Sequence, residues 1–394
     1  GLNLLLYRRR VPAIIDLNGR LVHSWPQVRA TGRARLDAEG RLTVIGTDSR
    51  IKEYDWDGSL LWSFALPGAE DLPHHDLIKL RSGSVLVLAV DRVARTDYLL
   101  EVQPNGTVTW RWSFADHRDA FAGWNTELAN PTHTNSIHEL PPNRWHQAGD
   151  QRFRPGNILV SARNLSTVFI IDKQSGAVVW QHSQDLDHQH EASMIPEGEP
   201  EEGAILLFDN GLENRHRYRR SLIKAIDPQR GRVLWSYSSP HFFSSVEGTA
   251  QALPGGNVAV TSSRGGRAFE ITPAGDIVWE WVPVYAPIRV ERLRSDHCPQ
   301  LAALDLQAER AVPTPEGPYI DRELYQFGVR NEIRRQMVAQ SERDLAPAGD
   351  TCRRLVVPPA AFLRAGFGIT EGEAGPAAVT GRFRLELRAG EARE

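Results

Sequence analysis

Three histidines occupy equivalent places in three similar stretches of the sequence. Each stands just before a run of apolar residues that is typical of a β-strand. The segments are LPHHDLIKL (72–80), NPTHTNSIHEL (130–140) and DHQHEASMI (187–195), with equivalent residues His75, His133 and His190. If the three strands are members of one repeat, their imidazoles meet at one place. Strand alternation should point His74 and His138 away from it.

Further polar residues follow in the same register. The strand after each of these segments ends in a polar cluster, and these clusters contain Asp91, Arg163, Asn164, Asp209, Asn210 and Arg264. A fourth segment, FFSSVEGT (242–249), has hydroxyl and acidic residues where the others carry histidine, namely Ser244, Ser245, Glu247 and Thr249. We expect these groups near the same ring.

Two chemistries suit three histidines beside an arginine. Three neutral imidazoles and a water can hold zinc or non-haem iron, although a guanidinium beside a dication is unfavourable. The other chemistry is the transfer of an anionic group. A neutral imidazole attacks, a second protonates the leaving oxygen, and arginine and asparagine hold the anionic oxygens. The residue types favour this second chemistry, which needs no metal or other cofactor.

A repeated phrase supplies the elements that must position these side chains. It has alternating apolar residues on both sides of a Gly-containing turn, as in IIDLNGRLVHSW (14–25) and EITPAGDIVW (270–279). This pattern predicts a β-hairpin. The six turn glycines are Gly19, Gly58, Gly106, Gly176, Gly231 and Gly275. In five copies a tryptophan follows the glycine by four residues, and we expect it to pack between neighbouring sheets: Trp62, Trp110, Trp180, Trp235 and Trp279. In the first copy Trp25 follows His23.

A second hairpin phrase, such as TAQALPGGNVAVTS (249–262), interleaves with the first. Two hairpins make a four-stranded sheet, which is one blade of a propeller. The sequence therefore predicts an all-β, six-bladed β-propeller over residues 1–285. Counted by the Gly-turn phrases, the histidine strands fall in blades two, three and four. Equivalent positions around one axis place the three histidines at one mouth of the central channel.

The tail from residue 286 lacks the Gly-Trp phrase. Residues 318–343 have helical spacing, while LVVPPAAFL and GRFRLELRAG resemble short strands. We expect 286–394 to be a mixed C-terminal extension packed on the propeller. The two cysteines, Cys298 and Cys352, could form one disulfide or remain two free thiols.

Composition excludes some classes of partner. The net charge is −3, so there is no concentrated basic surface for nucleic acid. No run of 18 apolar residues is present, as a membrane-spanning helix would need. The chain begins at Gly1 rather than Met, so a membrane anchor ahead of it is compatible with the sequence.

The motif series NPTHTNSIHEL, GNILVSARN, QHEASMI with ILLFDNG, and GTAQALPGGN resembles the arylsulfotransferase family, the bacterial PAPS-independent arylsulfate sulfotransferases. The resemblance covers roughly residues 10–285. It implies a six-bladed propeller that is exported to the periplasm and often forms a homodimer. It also implies a ping-pong reaction, in which a histidine takes a sulfuryl group from an aryl sulfate and passes it to a phenol.

The resemblance assigns roles residue by residue. His190 of QHE matches the family's nucleophile. His133 and Asn135 of HTN, with Arg163 of SARN, match its sulfate-binding residues. His75 of HHD matches its remaining site histidine, a candidate acid for the leaving phenol, and Ser245 corresponds to a hydroxyl residue.

Two alternatives stay open. One is another enzyme on the same scaffold, with a metal held by His75, His133 and His190. The other is a non-catalytic binding or scaffold propeller, because the Gly-x-x-x-Trp phrase is also similar to quinoprotein-type repeats. A channel mouth without converged histidines would favour the scaffold.

Overall fold

The structure is a computed structural model. It describes residues 1–7, 10–125, 127–212, 220–239, 242–283, 286–304 and 337–340.

Six antiparallel sheets account for almost all of the regular structure. Blade 1 consists of β24 (Ile288–Leu293), β1 (Leu2–Tyr7), β2 (Val11–Asp16) and β3 (Leu21–Ser24). Blade 2 consists of β4 (Ala30–Leu36), β5 (Leu42–Gly46), β6 (Ile51–Tyr54) and β7 (Leu60–Phe64). Blade 3 consists of β8 (Leu72–Lys79), β9 (Val85–Asp91), β10 (Thr96–Val102) and β11 (Val108–Ser113). Blade 4 consists of β12 (Thr134–Glu139), β13 (Ile158–Ala162), β14 (Thr167–Ile171) and β15 (Val178–His182).

The other two blades follow the same order. Blade 5 consists of β16 (His190–Met194), β17 (Ile205–Asp209), β18 (Leu222–Asp227) and β19 (Arg232–Tyr237). Blade 6 consists of β20 (Thr249–Ala252), β21 (Val258–Ser262), β22 (Arg267–Ile271), β23 (Ile277–Val282) and β25 (Met337–Gln340). Helices are short: α1 (Arg144–Gln147), α2 (Pro299–Ala302) and 3₁₀ turns at Phe114–Ala120 and Gln151–Phe153. The predicted six-bladed, all-β propeller is confirmed.

The first strand of each blade lines the channel. Strands β4, β8, β12, β16, β20 and β24 contact one another in sequence around a ring. The second strands are buried on both faces, as in ILVSA of β13 and ILLFD of β17, which explains their continuous apolar runs. Apolar clusters fill the spaces between neighbouring blades.

In blades 2 to 6 the chain enters at the inner hairpin and then forms the outer one. The inner strand β8 therefore belongs to the same sheet as the Gly106 hairpin. His75, His133 and His190 lie in blades 3, 4 and 5, one blade later than the sequence-based numbering. In the sequence, each inner hairpin lies between two Gly-turn hairpins and could share a blade with either one. The structure shows that it shares a blade with the Gly-turn hairpin that follows it.

Residues beyond 285 close the ring. Strand β24 pairs antiparallel with β1, with Leu2 opposite Leu293, and becomes the innermost strand of blade 1. Leu293, Cys298 and Leu301 join the apolar cluster between blades 1 and 2. The propeller thus continues past residue 285, where the sequence placed its end.

The tryptophans of the repeated phrase clasp neighbouring blades. Five indole N–H groups donate to a carbonyl in the outer hairpin turn of the next blade: Trp25 to Asp55, Trp112 to Gly176, Trp180 to Pro228, Trp235 to Pro273 and Trp279 to Leu17, over 2.6–3.1 Å. In blade 3 the indole that donates is that of Trp112, while the predicted Trp110 packs against the apolar cluster between blades 3 and 4. Side chains two residues apart on a strand lie on the same face of the sheet, so either position can reach the neighbouring blade.

Only one piece of the predicted 318–343 helix lies among the described residues. It is the strand β25, which pairs antiparallel with β23 and extends blade 6 to five strands. Residues 337–340 therefore form a strand on the edge of blade 6, although their spacing in the sequence is helical. The remainder of that predicted helix, the two predicted strands of the tail and Cys352 lie outside the described residues.

Cys298 is a buried free thiol among the residues that the structure describes. None of the helices in the described ranges has the length and apolar character needed to cross a membrane.

Candidate active site

The inner strands leave regular β geometry where the histidines lie. The pairing register shifts between Pro73 and Leu77 in β8 and between His190 and Ser193 in β16. His75 has φ +58° and His133 has φ +43°, a left-handed conformation uncommon for residues other than glycine. Such bulges turn a side chain out of the sheet's alternation. The imidazoles of His75 and His133 come into contact at these bulges, with ring centroids 4.9 Å apart.

Blade 2 carries a glycine at the corresponding bulge. Gly32 has φ +73°, and a Cβ there would lie 2.8 Å from the His75 carbonyl oxygen. A side chain at this position would push directly on the His75 backbone. The glycine lets β4 approach β8 closely enough to fix that histidine.

His190 is held in one tautomer. Its side chain is almost fully buried, and Nδ1 lies 2.7 Å from Asn210 Oδ1 and 3.2 Å from the His188 carbonyl oxygen. The Asn210 amide nitrogen donates to the carbonyls of Ser244 and Glu247, so its oxygen must face the histidine. Both neighbours of Nδ1 are acceptors, so Nδ1 carries the hydrogen. The lone pair of neutral His190 therefore resides on Nε2.

All three histidines are neutral at neutral pH. Burial lowers the pKa of His190 to about 3, with Arg289 and Arg163 acting in the same direction and the Asn210 hydrogen bond opposing them. Burial, followed by the charge of Arg163, lowers the pKa of His133 to about 4. Burial and the neighbouring His74 and His133 hold the pKa of His75 well below its usual range. A neutral imidazole is the form that can act as a nucleophile or accept a proton.

His75 and His133 lie side by side. Their ring centroids are 4.9 Å apart in an edge-to-face arrangement. His75 Nδ1 also lies 2.6 Å from His74 Nδ1, and His74 Nε2 lies 3.1 Å from Asp97. His74 therefore contacts His75 rather than pointing away from it, because the bulge interrupts the strand alternation on which that expectation depended.

Arg163 supplies positive charge beside the imidazoles. Its backbone N–H donates to the His133 carbonyl over 3.3 Å, and its half-buried guanidinium donates to Asn164 Oδ1 over 2.8 Å. It forms no ion pair with a carboxylate of the described residues. Asp187 acts on this guanidinium through its charge without an ion pair between the two among the described residues. Positive charge beside neutral imidazoles is a favourable setting for an anion.

Asn135 and Ser245 sit differently from the predicted sulfate contacts. Asn135 is fully buried, and its amide donates to the Gln189 carbonyl over 2.8 Å, so it supports the backbone that precedes His190. Among the described residues, the Ser245 hydroxyl makes no hydrogen bond with the three histidines. The hydroxyl anchored in that loop is Ser244, which accepts from the Arg264 N–H and donates to the Val246 carbonyl.

A buried ion network crosses the channel next to the histidines. Asp76 follows His75, and Glu191 follows His190. Both carboxylates pair with guanidinium groups from other blades, Arg33 on β4 and Arg289 on β24. Arg35 and Glu291 extend the network, with Arg35 3.1 Å from Asp76 and 3.4 Å from Glu291.

Sequence reasoning missed these arginines. Arg289 lies past the expected end of the propeller, and β4 lacks the histidine signature. The alternation of charge in ATGRARL was the one available signal, and it is equally typical of a solvated strand.

The donor set does not fit a metal centre. No group of three or more His, Cys, Asp or Glu side chains in the described ranges is arranged to hold a metal ion. The three-histidine metal alternative therefore has no support from the geometry.

Propellers of known structure resemble the chain only distantly. A protein of unknown function from Bacteroides caccae is 16% identical, with 71% of this chain and 93% of that one covered and a TM-score of 0.49. Virginiamycin B lyase from Staphylococcus aureus is 14% identical, with 71% and 73% covered and a TM-score of 0.42. A streptogramin B lyase is 12% identical, with 74% and 78% covered and a TM-score of 0.45.

A search of curated protein sequences found no match. The family model described as Arylsulfotransferase (ASST), in contrast, matches residues 83–283. That span is more than half of the chain and includes His133, Arg163 and His190 with their supporting strands. The chain belongs to the arylsulfotransferase (ASST) family.

Proposed function

We propose that this protein is an arylsulfate sulfotransferase that moves a sulfuryl group from an aryl sulfate to a phenol through a sulfohistidine at His190. The observation that carries the proposal is the fixed tautomer of His190. Its Nδ1 is committed to Asn210, so the lone pair of a neutral Nε2 is available. Membership of the arylsulfotransferase family agrees with this chemistry.

In the first half-reaction, His190 Nε2 attacks the sulfur atom and the sulfur–aryl oxygen bond breaks. The departing oxygen takes a proton from His75, which leaves a phenol and an N-sulfated imidazole. In the second half-reaction, an acceptor phenol returns its proton to His75, and its oxygen attacks the sulfur. The sulfur–nitrogen bond breaks and the lone pair returns to Nε2. Arg163 faces the negative oxygens throughout and stabilises the charge that shifts between them.

The test follows the release of nitrophenolate from p-nitrophenyl sulfate with phenol as the acceptor. We expect turnover by the native chain and its loss in His190→Ala, seen in kcat rather than only in KM. Intact-mass analysis without acceptor should show one added sulfuryl group. The matched control is His23→Gln. His23 is a half-buried histidine on β3, in the outer part of blade 1, and its ring stacks on Trp56 of blade 2. Undiminished release by His190→Ala would contradict the proposal.

The periplasmic location, the homodimer and an upstream membrane anchor stay predictions of the family resemblance. Small-molecule donors and acceptors are the partners that this proposal requires.

A further inference from the structure

A buried carboxylate and His74 lie in a continuous line with His75, and the sulfuryl-transfer steps above use only His75. Asp97 on β10 is fully buried, and its Oδ1 lies 3.1 Å from His74 Nε2. His74 Nδ1 lies 2.6 Å from His75 Nδ1. His75 in turn packs against the ring of His133. The line leads from a charge inside blade 3 to His133 of blade 4.

Asp97 is saturated with donors. Besides His74, it accepts from the Asn130 amide at 2.7 Å, the Thr132 hydroxyl at 2.6 Å and the Thr134 N–H at 2.7 Å. Burial alone would raise the pKa of the Asp97 carboxyl, but His74 and these hydrogen bonds lower it on balance. Asp97 is therefore an ionised acceptor, and it also holds the turn on both sides of His133.

These contacts restrict the hydrogens to two arrangements. His74 Nε2 faces a carboxylate, so it is a donor. One hydrogen must lie between the two facing Nδ1 atoms. If it belongs to His75, both histidines are neutral and His75 Nε2 is a base. If it belongs to His74, then His74 is an imidazolium beside Asp97, and His75 is neutral with a hydrogen on Nε2.

We propose that Asp97 and His74 act as a proton store for His75, so that one short hydrogen shift converts His75 between acid and base. The inference rests on the proposed sulfuryl transfer and assigns His74 and Asp97 as positioning residues for its acid–base step. His75 alone touches the reacting oxygen.

The steps balance over one turnover. When the aryl oxygen leaves, His75 Nε2–H gives it a proton, and His75 Nδ1 takes the shared hydrogen from the His74 imidazolium. When the acceptor phenol arrives, His75 Nε2 takes the phenol proton and Nδ1 returns the shared hydrogen to His74. The proton lost in the first half-reaction is regained in the second.

The charges around the line explain why the store is His74. His75 faces His74, His133, His190 and Arg289, and each of these cations or potential cations disfavours an imidazolium at His75. His74 instead has the Asp97 carboxylate on its far side. A proton passed to His74 is thus placed beside a carboxylate, one residue away from His75.

The test compares donors whose phenols differ in leaving ability. His74→Gln keeps a polar side chain but cannot carry the charge. We expect about a 100-fold fall in kcat with phenyl sulfate, which needs an acid, and less than about a tenfold fall with p-nitrophenyl sulfate, whose phenolate leaves unaided. His23→Gln should leave both rates unchanged. If the substitution merely distorted the site, kcat would fall by the same factor with both donors.

Two further measurements keep the outcomes distinct. Absence of turnover of any aryl sulfate by the native chain would contradict the proposed function. Native turnover with an equal loss for both donors in His74→Gln would overturn the proton store alone. In ¹⁵N-labelled protein, we expect a coupling between the two facing Nδ1 atoms that is lost in His74→Gln. Its absence in the native chain would also overturn the store, whatever the activity.

Discussion

At the scale of single residues, the site combines neutral imidazoles with the guanidinium of Arg163. Burial keeps His190 and His133 uncharged, and Arg163 and Arg289 reinforce this by making an additional positive charge unfavourable. The site therefore keeps a nucleophilic lone pair on His190 Nε2 near the positive charge of Arg163. Asn210 orients the ring as a neutral acceptor, and although its hydrogen bond raises the His190 pKa, burial outweighs that effect.

The pH dependence of kcat/KM for p-nitrophenyl sulfate should report this tuning. We expect activity to remain level from pH 7 to about pH 5, since the pKa values of His190 and His133 are about 3 and about 4. Asn210→Asp places a carboxylate beside Nδ1 and should raise the His190 pKa. The variant should therefore lose activity at a higher pH than the native chain as the solution is made more acidic. A native profile that falls with a midpoint near 6.5 would contradict the assignment.

At the scale of elements, inter-blade tryptophans and strand bulges have separate tasks. Outer-hairpin tryptophans clasp five of the six described blades to the next, and Trp279 links blade 6 to blade 1, where the ring closes. The inner-strand bulges interrupt strand alternation at the site histidines. Trp62 packs between blades 2 and 3 without an indole hydrogen bond to a described residue, so it offers an internal comparison.

The clasp can be measured with Trp279→Phe, which keeps an aromatic ring and removes the N–H donor. We expect a loss of about 1 kcal/mol in the free energy of unfolding beyond that of Trp62→Phe, because the Leu17 carbonyl loses its partner. Chemical denaturation of both variants gives the difference. Equal losses would mean that the clasp contributes only through packing.

At the scale of the whole molecule, buried histidines link stability to pH. The pKa of His138 is lowered to about 4, by burial first and by Arg35 second, and the site histidines behave similarly. As the pH falls below the unfolded-state value of about 6.5, the unfolded chain binds protons that the folded chain cannot. Stability is therefore fully present above that pH and is lost progressively towards pH 4. Glu191, whose pKa is lowered to about 2, acts in the same direction below about pH 4.5.

His138→Gln should make that loss shallower. The change removes one titrating group, so the slope of unfolding free energy against pH between 6 and 4 should fall by up to about 1.4 kcal/mol per pH unit. Denaturation at pH 7, 6 and 5 measures it. Gln147→Ala, at an exposed position of α1, should leave the slope unchanged. An unchanged slope in His138→Gln would show that this histidine is already protonated in the folded chain.

The sequence by itself determined the blade count, the outer hairpins and the three histidines. These depend on local rules: alternation of period two, glycine at left-handed turn positions and one side chain per repeat in a fixed register. The six turn glycines all have φ between +64° and +90°, as such turns require.

Only the tertiary structure decided which residues meet across the channel. Arg33 pairs with Glu191 from 158 positions away, and β24 closes the ring against β1 from the other end of the described propeller. No local period encodes such partners, because they depend on how far each blade turns about the axis. For the same reason, the contact of His74 with Asp97 and His75 followed from a bulge that strand alternation does not predict.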